Sequence, residues 1–213
     1  MRMNTLIAGL VAIMCVALST VSANTETTTQ LQRIALSMDL FRHGVENRDP
    51  LAIITAASIR RDVRYVEGEI GELDGDPGET REPVSWKDML TEAEVYTRRR
   101  PDLQELIDDV KAKAPKGLID GAIISRAQII PRGKRTYRSM TFVGGDFAEV
   151  YSEGRGEENI DMYVYNQAGA LVCSQTDPSP QSLCGWTPTD TEQFSVVVEN
   201  KSDRTAYFTL YTN

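Results

Sequence analysis

Hydrophobic positions change their spacing once along this chain, and the change divides it. Leu31, Ile34, Met38, Phe41 and Val45 recur at three- and four-residue steps, which puts them on one face of a helix. Gly44 and Asn47 weaken its end. Asp49-Pro50 restarts a helix, with Asp as N-cap and Pro at the first helical position. Leu51, Ile53, Ile54, Ala57 and Ile59 carry it to about Val63, and the two helices pair as an antiparallel hairpin. Ser85 to Asp88 has the capping-box spacing and opens a third helix through Met89, Leu90, Ala93 and Tyr96. Pro101 opens a fourth through Leu103, Leu106, Ile107 and Val110, closed by Lys111, Lys113, Lys116 and Gly117. Between the second and third, residues 66–83 are acidic and rich in Gly and Pro, which predicts a long mobile loop.

From about Ala127 the period falls to two. Met140 and Phe142 alternate with Ser139 and Thr141. Ile160, Met162 and Val164 alternate with Asp161, Tyr163 and Tyr165. Phe194, Val196 and Val198, then Phe208 and Leu210, repeat the pattern. Gly144-Gly145, Asn166 to Gly169, Asp177 to Pro180 and Asn200 to Asp203 punctuate these runs. Short alternating strands with frequent turns predict an antiparallel β-sandwich. The expected class is therefore α+β: about four N-terminal helices, then a C-terminal sandwich.

The start of the chain reads differently. Arg2 precedes an apolar run from Leu6 to Leu18, shorter than the about 20 residues of a spanning helix. Val21-Ser22-Ala23 then supplies the small residues of a signal-peptidase site, so residues 1–23 are expected to be removed after Ala23. Cys15 follows Met14, where a lipoprotein would have a small residue, and is expected to leave with the signal. The expected division is thus 1–23 as signal peptide, 24–120 as a helical domain and 127–213 as the sandwich. Export explains the two remaining cysteines. Cys173 and Cys184 flank a turn-rich loop and are expected to form a disulfide in an oxidising compartment. Export also predicts a periplasmic or secreted location, and no apolar stretch after residue 23 could span a bilayer.

Charge narrows the partners. Against 23 Lys and Arg stand 31 Asp and Glu, a net charge of −8, which argues against nucleic acid. The single histidine, His43, sits at a helix end with no nucleophile elbow nearby, so it reads as a polar helix-end residue rather than a catalytic base.

Residues 142–213 resemble the bacterial pre-peptidase C-terminal domain, a jelly-roll-like β-sandwich. The matching pieces are FVGGDFAEVYSEGRGEENIDMYVYNQAGALVCS, CGWTPTDTEQFSVVVEN and AYFTLYTN, in the family's order. The resemblance implies a non-catalytic module that in some members binds calcium or a fibrous protein. In the family the strand often opens Asp-Leu-Asp; here Asn159-Ile160-Asp161 stands in its place.

Two constellations are candidate sites. Glu153, Glu157, Glu158, Asn159 and Asp161 crowd a Gly-containing turn beside a strand, and turn carboxylates can chelate calcium. Tyr163, Tyr165, Tyr207 and Tyr211 alternate with the apolar core positions, so they project from the opposite face and can form a binding platform. The basic groups Arg98-Arg99-Arg100 and Arg132, Lys134, Arg135 and Arg138 read as solvated faces or contacts with the acidic helical half. No cofactor other than calcium is suggested. The expected function is an exported, non-enzymatic binding or accessory protein whose sandwich engages a protein or an extracellular or envelope polymer. The alternatives are a metal-assisted secreted hydrolase using the acidic clusters, and a chaperone-like or structural envelope protein acting through its helices.

Overall fold

The computed structural model describes residues 28–113 and 121–213. The expected signal peptide and its cleavage after Ala23 lie outside the described residues. Helix α1 spans Gln30–Asn47 and helix α2 Pro50–Arg61. Thr29 and Gln32 close a capping box at the start of α1, and the Asp49 carboxylate accepts from the first backbone N–H groups of α2. Gly44 does not end α1. A side chain there would collide with Ile53, so the glycine lets the two helices approach closely. Helix α3, Trp86–Thr97, starts at the expected Ser85/Asp88 box, and helix α4 covers Pro101–Ala112. Met38, Ile53, Ile54, Ala57, Met89, Leu90, Leu103 and Ile107 make one buried core among the four.

The C-terminal strands are β3 (Ala122–Ile129), β4 (Lys134–Phe142), β5 (Ala148–Gly154), β6 (Ile160–Tyr165), β7 (Leu171–Gln175), β8 (Gln181–Trp186), β9 (Glu192–Asn200) and β10 (Ala206–Thr212). They pair as a nested ladder, β3 with β10, β4 with β9, β5 with β8 and β6 with β7, all antiparallel. Further pairing of β10 with β5 and of β6 with β9 rolls that ladder into two packed sheets, the order of a jelly roll. Between them lie Tyr137, Met140, Phe142, Val150, Ile160, Met162, Val164, Phe194, Val196, Val198, Phe208 and Leu210. A bulge in β4, with Ser139 at φ 58°, lets both Tyr137 and Met140 point inward.

The segment 66–83 differs from its expectation as a mobile loop. It contributes β1, Tyr65–Glu67, parallel to β3, and β2, Glu72–Leu73, antiparallel to β4. Gly71 turns the chain between them at φ 125°, where a side chain would strike the Arg138 carbonyl. Later in the segment the Gln128 N–H donates to the Pro77 carbonyl at 2.9 Å. The segment stays ordered because sandwich side chains supply what its composition lacks. Arg126 pairs with both Glu67 and Glu82, and Arg81 lies 3.7 Å over the Tyr207 ring. The first sheet is thus β1-β3-β10-β5-β8 and the second β2-β4-β9-β6-β7. Sandwich pairing therefore begins at Tyr65, inside the stretch expected to be a helical domain with an acidic loop, and β3 begins at Ala122 rather than at about Ala127.

Cys173 and Cys184 form the expected disulfide, with Cα atoms 5.9 Å apart. It joins β7, an edge of the second sheet, to β8, an edge of the first. Beside Cys184 in this core, Trp186 packs on Phe142 and Phe194.

Candidate functional site

The two sheets present their outer faces to different surroundings. On the first sheet Glu149, Tyr151 and Glu153 of β5 and Tyr207, Thr209 and Tyr211 of β10 point away from the sandwich core. Helix α1, with Arg60 and Val63 from the end of α2, covers the β5 side of this face, and Glu79 and Arg81 cover Tyr207. Leu31, Ile34 and Val63 pack on Ala122, Ile124, Tyr151 and Tyr211. The same contact carries polar pairs that reach far along the chain. Gln32 Nε2 donates to Glu149 Oε1 at 3.0 Å, and Gln181 Nε2 donates to Asp39 Oδ1 at 2.9 Å. Arg42 Nη1 meets Glu157 Oε1 at 2.5 Å, and Nη2 donates to the Gly156 carbonyl.

At the centre, Arg60 Nη2 donates to Glu153 Oε2 at 2.7 Å, with side chains 3% and 2% exposed. Burial alone would lower the Arg60 pKa. The facing Glu153 carboxylate, helped by Tyr211 and Tyr151, outweighs it and holds the guanidinium charged. The Tyr151 hydroxyl bridges Glu153 Oε2 at 3.2 Å and Gln181 Oε1 at 2.5 Å. Burial first, and the Glu153 charge second, push the phenols of Tyr151 and Tyr211 well above their ordinary value. This is a buried ion pair inside an interface, in which Glu153 Oε2 also accepts from Tyr151, while Arg60 Nε and Glu153 Oε1 meet no partner among the described residues. It serves to fasten helices to sheet.

The outer face of the second sheet has no such cover among the described residues. Tyr163 stands between Val197 of β9 and Ser174 of β7, and Tyr165 between Ser195 and Leu171. Thr136 of β4 continues the Tyr163 row beyond Val197. The Tyr163 hydroxyl donates to Asp161 Oδ2 at 3.2 Å. Asp161 sits directly opposite Glu199, and Lys201 bridges the two carboxylates at 3.6 and 2.6 Å. The face is half-exposed, with two aromatic rings among hydroxyls, Val197, Leu171 and a mixed-charge border.

The four candidate tyrosines therefore do not share one face. Tyr163 and Tyr165 lie together on the second sheet. Tyr207 and Tyr211 lie on the first, where Tyr211 is fully buried under the helices and Tyr207 donates to Glu79 Oε2 beneath Arg81. Alternation shows which residues leave the core but not what covers them afterwards.

The five candidate calcium ligands, four carboxylates and Asn159, also separate. Glu153 faces Arg60, Glu157 faces Arg42, Glu158 meets Arg204 at 3.3 Å and Asp161 meets Lys201. Asn159 Oδ1 accepts from the Ser179 backbone N–H. Among the described residues no group of three or more His, Cys, Asp or Glu side chains gathers to hold a metal. This donor set does not fit a calcium ion, which needs six to eight oxygens converging on one point. His43 accompanies Asn47, its neighbour one helical turn on, with no nucleophile beside it in the hydrogen-bond network. Arg60, Gln181 and Asp39 carried no sequence signal of their interface role. Their partners are 93 and 142 residues distant, and Arg60 reads locally as an ordinary basic residue closing a helix.

No family model and no curated protein matches the chain. Among solved structures it is similar to the pre-peptidase C-terminal domain of a collagenase from Bacillus anthracis. That likeness has a TM-score of 0.35 and 5% identity, over 42% of this chain and 87% of that one. It is also similar to PliG of Aeromonas hydrophila, a periplasmic inhibitor of g-type lysozyme, with a TM-score of 0.32 and 14% identity, over 47% of this chain and 93% of that one. A third likeness is to PirA, with a TM-score of 0.30 and 15% identity, over 46% of this chain and 98% of that one.

Proposed function

We propose that this is an exported, non-catalytic binding or accessory protein of the pre-peptidase C-terminal type. It engages a protein or an extracellular or envelope polymer through the outer face of its second sheet. One observation carries the reading, the unequal coverage of the two sheet faces. Helices bury Tyr211 and Tyr151 on one, while Tyr163 and Tyr165 stand half-exposed and adjacent on the other. Tyrosine supplies large contact area at low entropy cost, and the surrounding hydroxyls of Thr136, Ser174 and Ser195 supply hydrogen bonds. The reading assigns no role to calcium, because the acidic turn residues are taken by separate cations.

The test is capture from native envelope and from culture medium by the wild type and by a Tyr163→Ala/Tyr165→Ala variant. Hydrogen exchange of the captured complex locates the contact. A partner held by the wild type, lost by the variant and protecting β6 and β9 supports the reading. Equal capture by both, or protection of the helices instead, overturns it and favours the chaperone-like alternative.

A further inference from the structure

Where α2 ends and α3 begins, the molecule has an open cavity of about 570 Å³ lined by Arg60, Arg61, Arg64, Tyr65, Trp86 and Lys87. That volume falls in the range of small-ligand sites. Its charge is unusual for a chain of net charge −8. Arg60 is neutralised by Glu153. The other three cations have no carboxylate within 4 Å among the described residues. The acidic side chains nearby in sequence are engaged elsewhere, Asp62 with Arg33, Glu67 and Glu82 with Arg126, and Asp88 with Ser85 and, at 3.9 Å, with Arg155.

Trp86 orders two of these cations. Arg61 Cζ stands 5.1 Å, and Lys87 Nζ 5.5 Å, from the centre of its ring. A cation–π contact fixes a charged head without using up its N–H donors, which stay available. Arg61 Nη1 is buried and meets no acceptor among the described residues. A buried guanidinium donor without an acceptor is costly unless something outside the chain supplies one.

We propose that this cavity binds a small polyanion whose clustered oxyanions, phosphate or carboxylate, are held by Arg61, Arg64 and Lys87. Arginine forks match the geometry of such groups, and three uncompensated cations in a concavity concentrate anions there. Trp86 acts as the post that holds two of the cations in place. The site lies on the helical side of the molecule and does not depend on the tyrosine face of the second sheet.

The test is a titration of the purified protein with pyrophosphate and with citrate, read by calorimetry and by tryptophan fluorescence. Saturation by pyrophosphate alone assigns a phosphorylated ligand, and saturation by citrate alone a polycarboxylate. Either is expected to weaken at least about tenfold in Arg61→Gln/Arg64→Gln. An Arg98→Gln/Arg99→Gln variant, changed at exposed arginines between α3 and α4, is expected to bind as the wild type does. Trp86→Phe is expected to lose the fluorescence change, since the second tryptophan, Trp186, lies in the sandwich core. If the double variant fails to fold, the exposed Lys87→Gln carries the test with the same direction. Saturation by neither probe, or unchanged affinity in the cavity variants, overturns the proposal.

Discussion

Two glutamates show how much the surroundings decide. Glu153 on β5 and Glu199 on β9 both point outward from a sandwich strand, and both face a cation, at 2.7 and 2.6 Å. Over Glu153 lie two helices, and its partner Arg60 is 3% exposed. Glu199 lies on the bare face, and its partner Lys201 is 42% exposed. The first pair is sealed in low dielectric, where removing either member leaves an uncompensated charge. The second is solvated and screened. A carboxylate–cation pair on an outward strand position is thus structural in one place and contributes little to stability in the other. A position with so little structural duty is what a recognition surface requires.

The sharpest way to break this comparison is to delete both carboxylates in turn. Glu153→Ala is expected to lower the unfolding free energy in urea by about 3–5 kcal/mol. Glu199→Ala is expected to lower it by no more than about 1 kcal/mol. Equal losses would mean that the helical cover does not seal its face. A smaller effect is expected from the crosslink that holds the far edges of the two sheets. Replacing Cys173 and Cys184 by Ala, with a sequence separation of 11, is expected to cost about 3 kcal/mol, read by the same denaturation. Because that bond clamps both sheets, its loss should not discriminate between their outer faces.

Alkali sharpens the contrast further. Burial pushes the Tyr137 phenol up to about 12, and those of Tyr151 and Tyr211 also lie well above their ordinary value. A phenol raised in the folded state adds stability that is fully present below its unfolded value of about 10. The stability is lost as pH rises through the folded value. Unfolding free energy should hold to about pH 10 and then fall, by about 2–3 kcal/mol for Tyr137 alone near pH 12. A curve that stays level across that window would show these rings to be reachable by water.

Much of this was legible in the sequence, and the parts that were not share a cause. Helices α1 to α4 announce themselves because each buries one stripe, and Asp49-Pro50 and Ser85 mark two of the starts. Strands β6 and β9 announce themselves because one of their faces is wet. Strand β5 gives no alternation because all seven of its residues are buried, with the core on one side and neighbouring elements on the other. Strands β1 and β2 are three and two residues long and exist because β3 and β4 offer them free edges. Glu153 stood out as an acidic residue, but its meaning depended on an arginine 93 residues earlier. Local pattern shows a residue's direction, while its environment comes from chain segments that sequence spacing does not bring together.

The placement of β1 and β2 bears on the order in which this molecule can assemble. Tyr65 to Leu73 find their hydrogen-bonding partners only at residues 122–124 and 137–138, and α1 waits for side chains 117 and 142 residues later. A fragment ending after α4 would therefore hold two strands with nothing to pair with. A fragment starting at β3 would carry two long strands whose outer edges stay open, an invitation to self-association. Neither half is a natural unit of dissection. The nascent chain must close loops of about 60 residues to secure its earliest strands and loops of more than a hundred to seat α1, so folding should be slow for its size and should finish all at once.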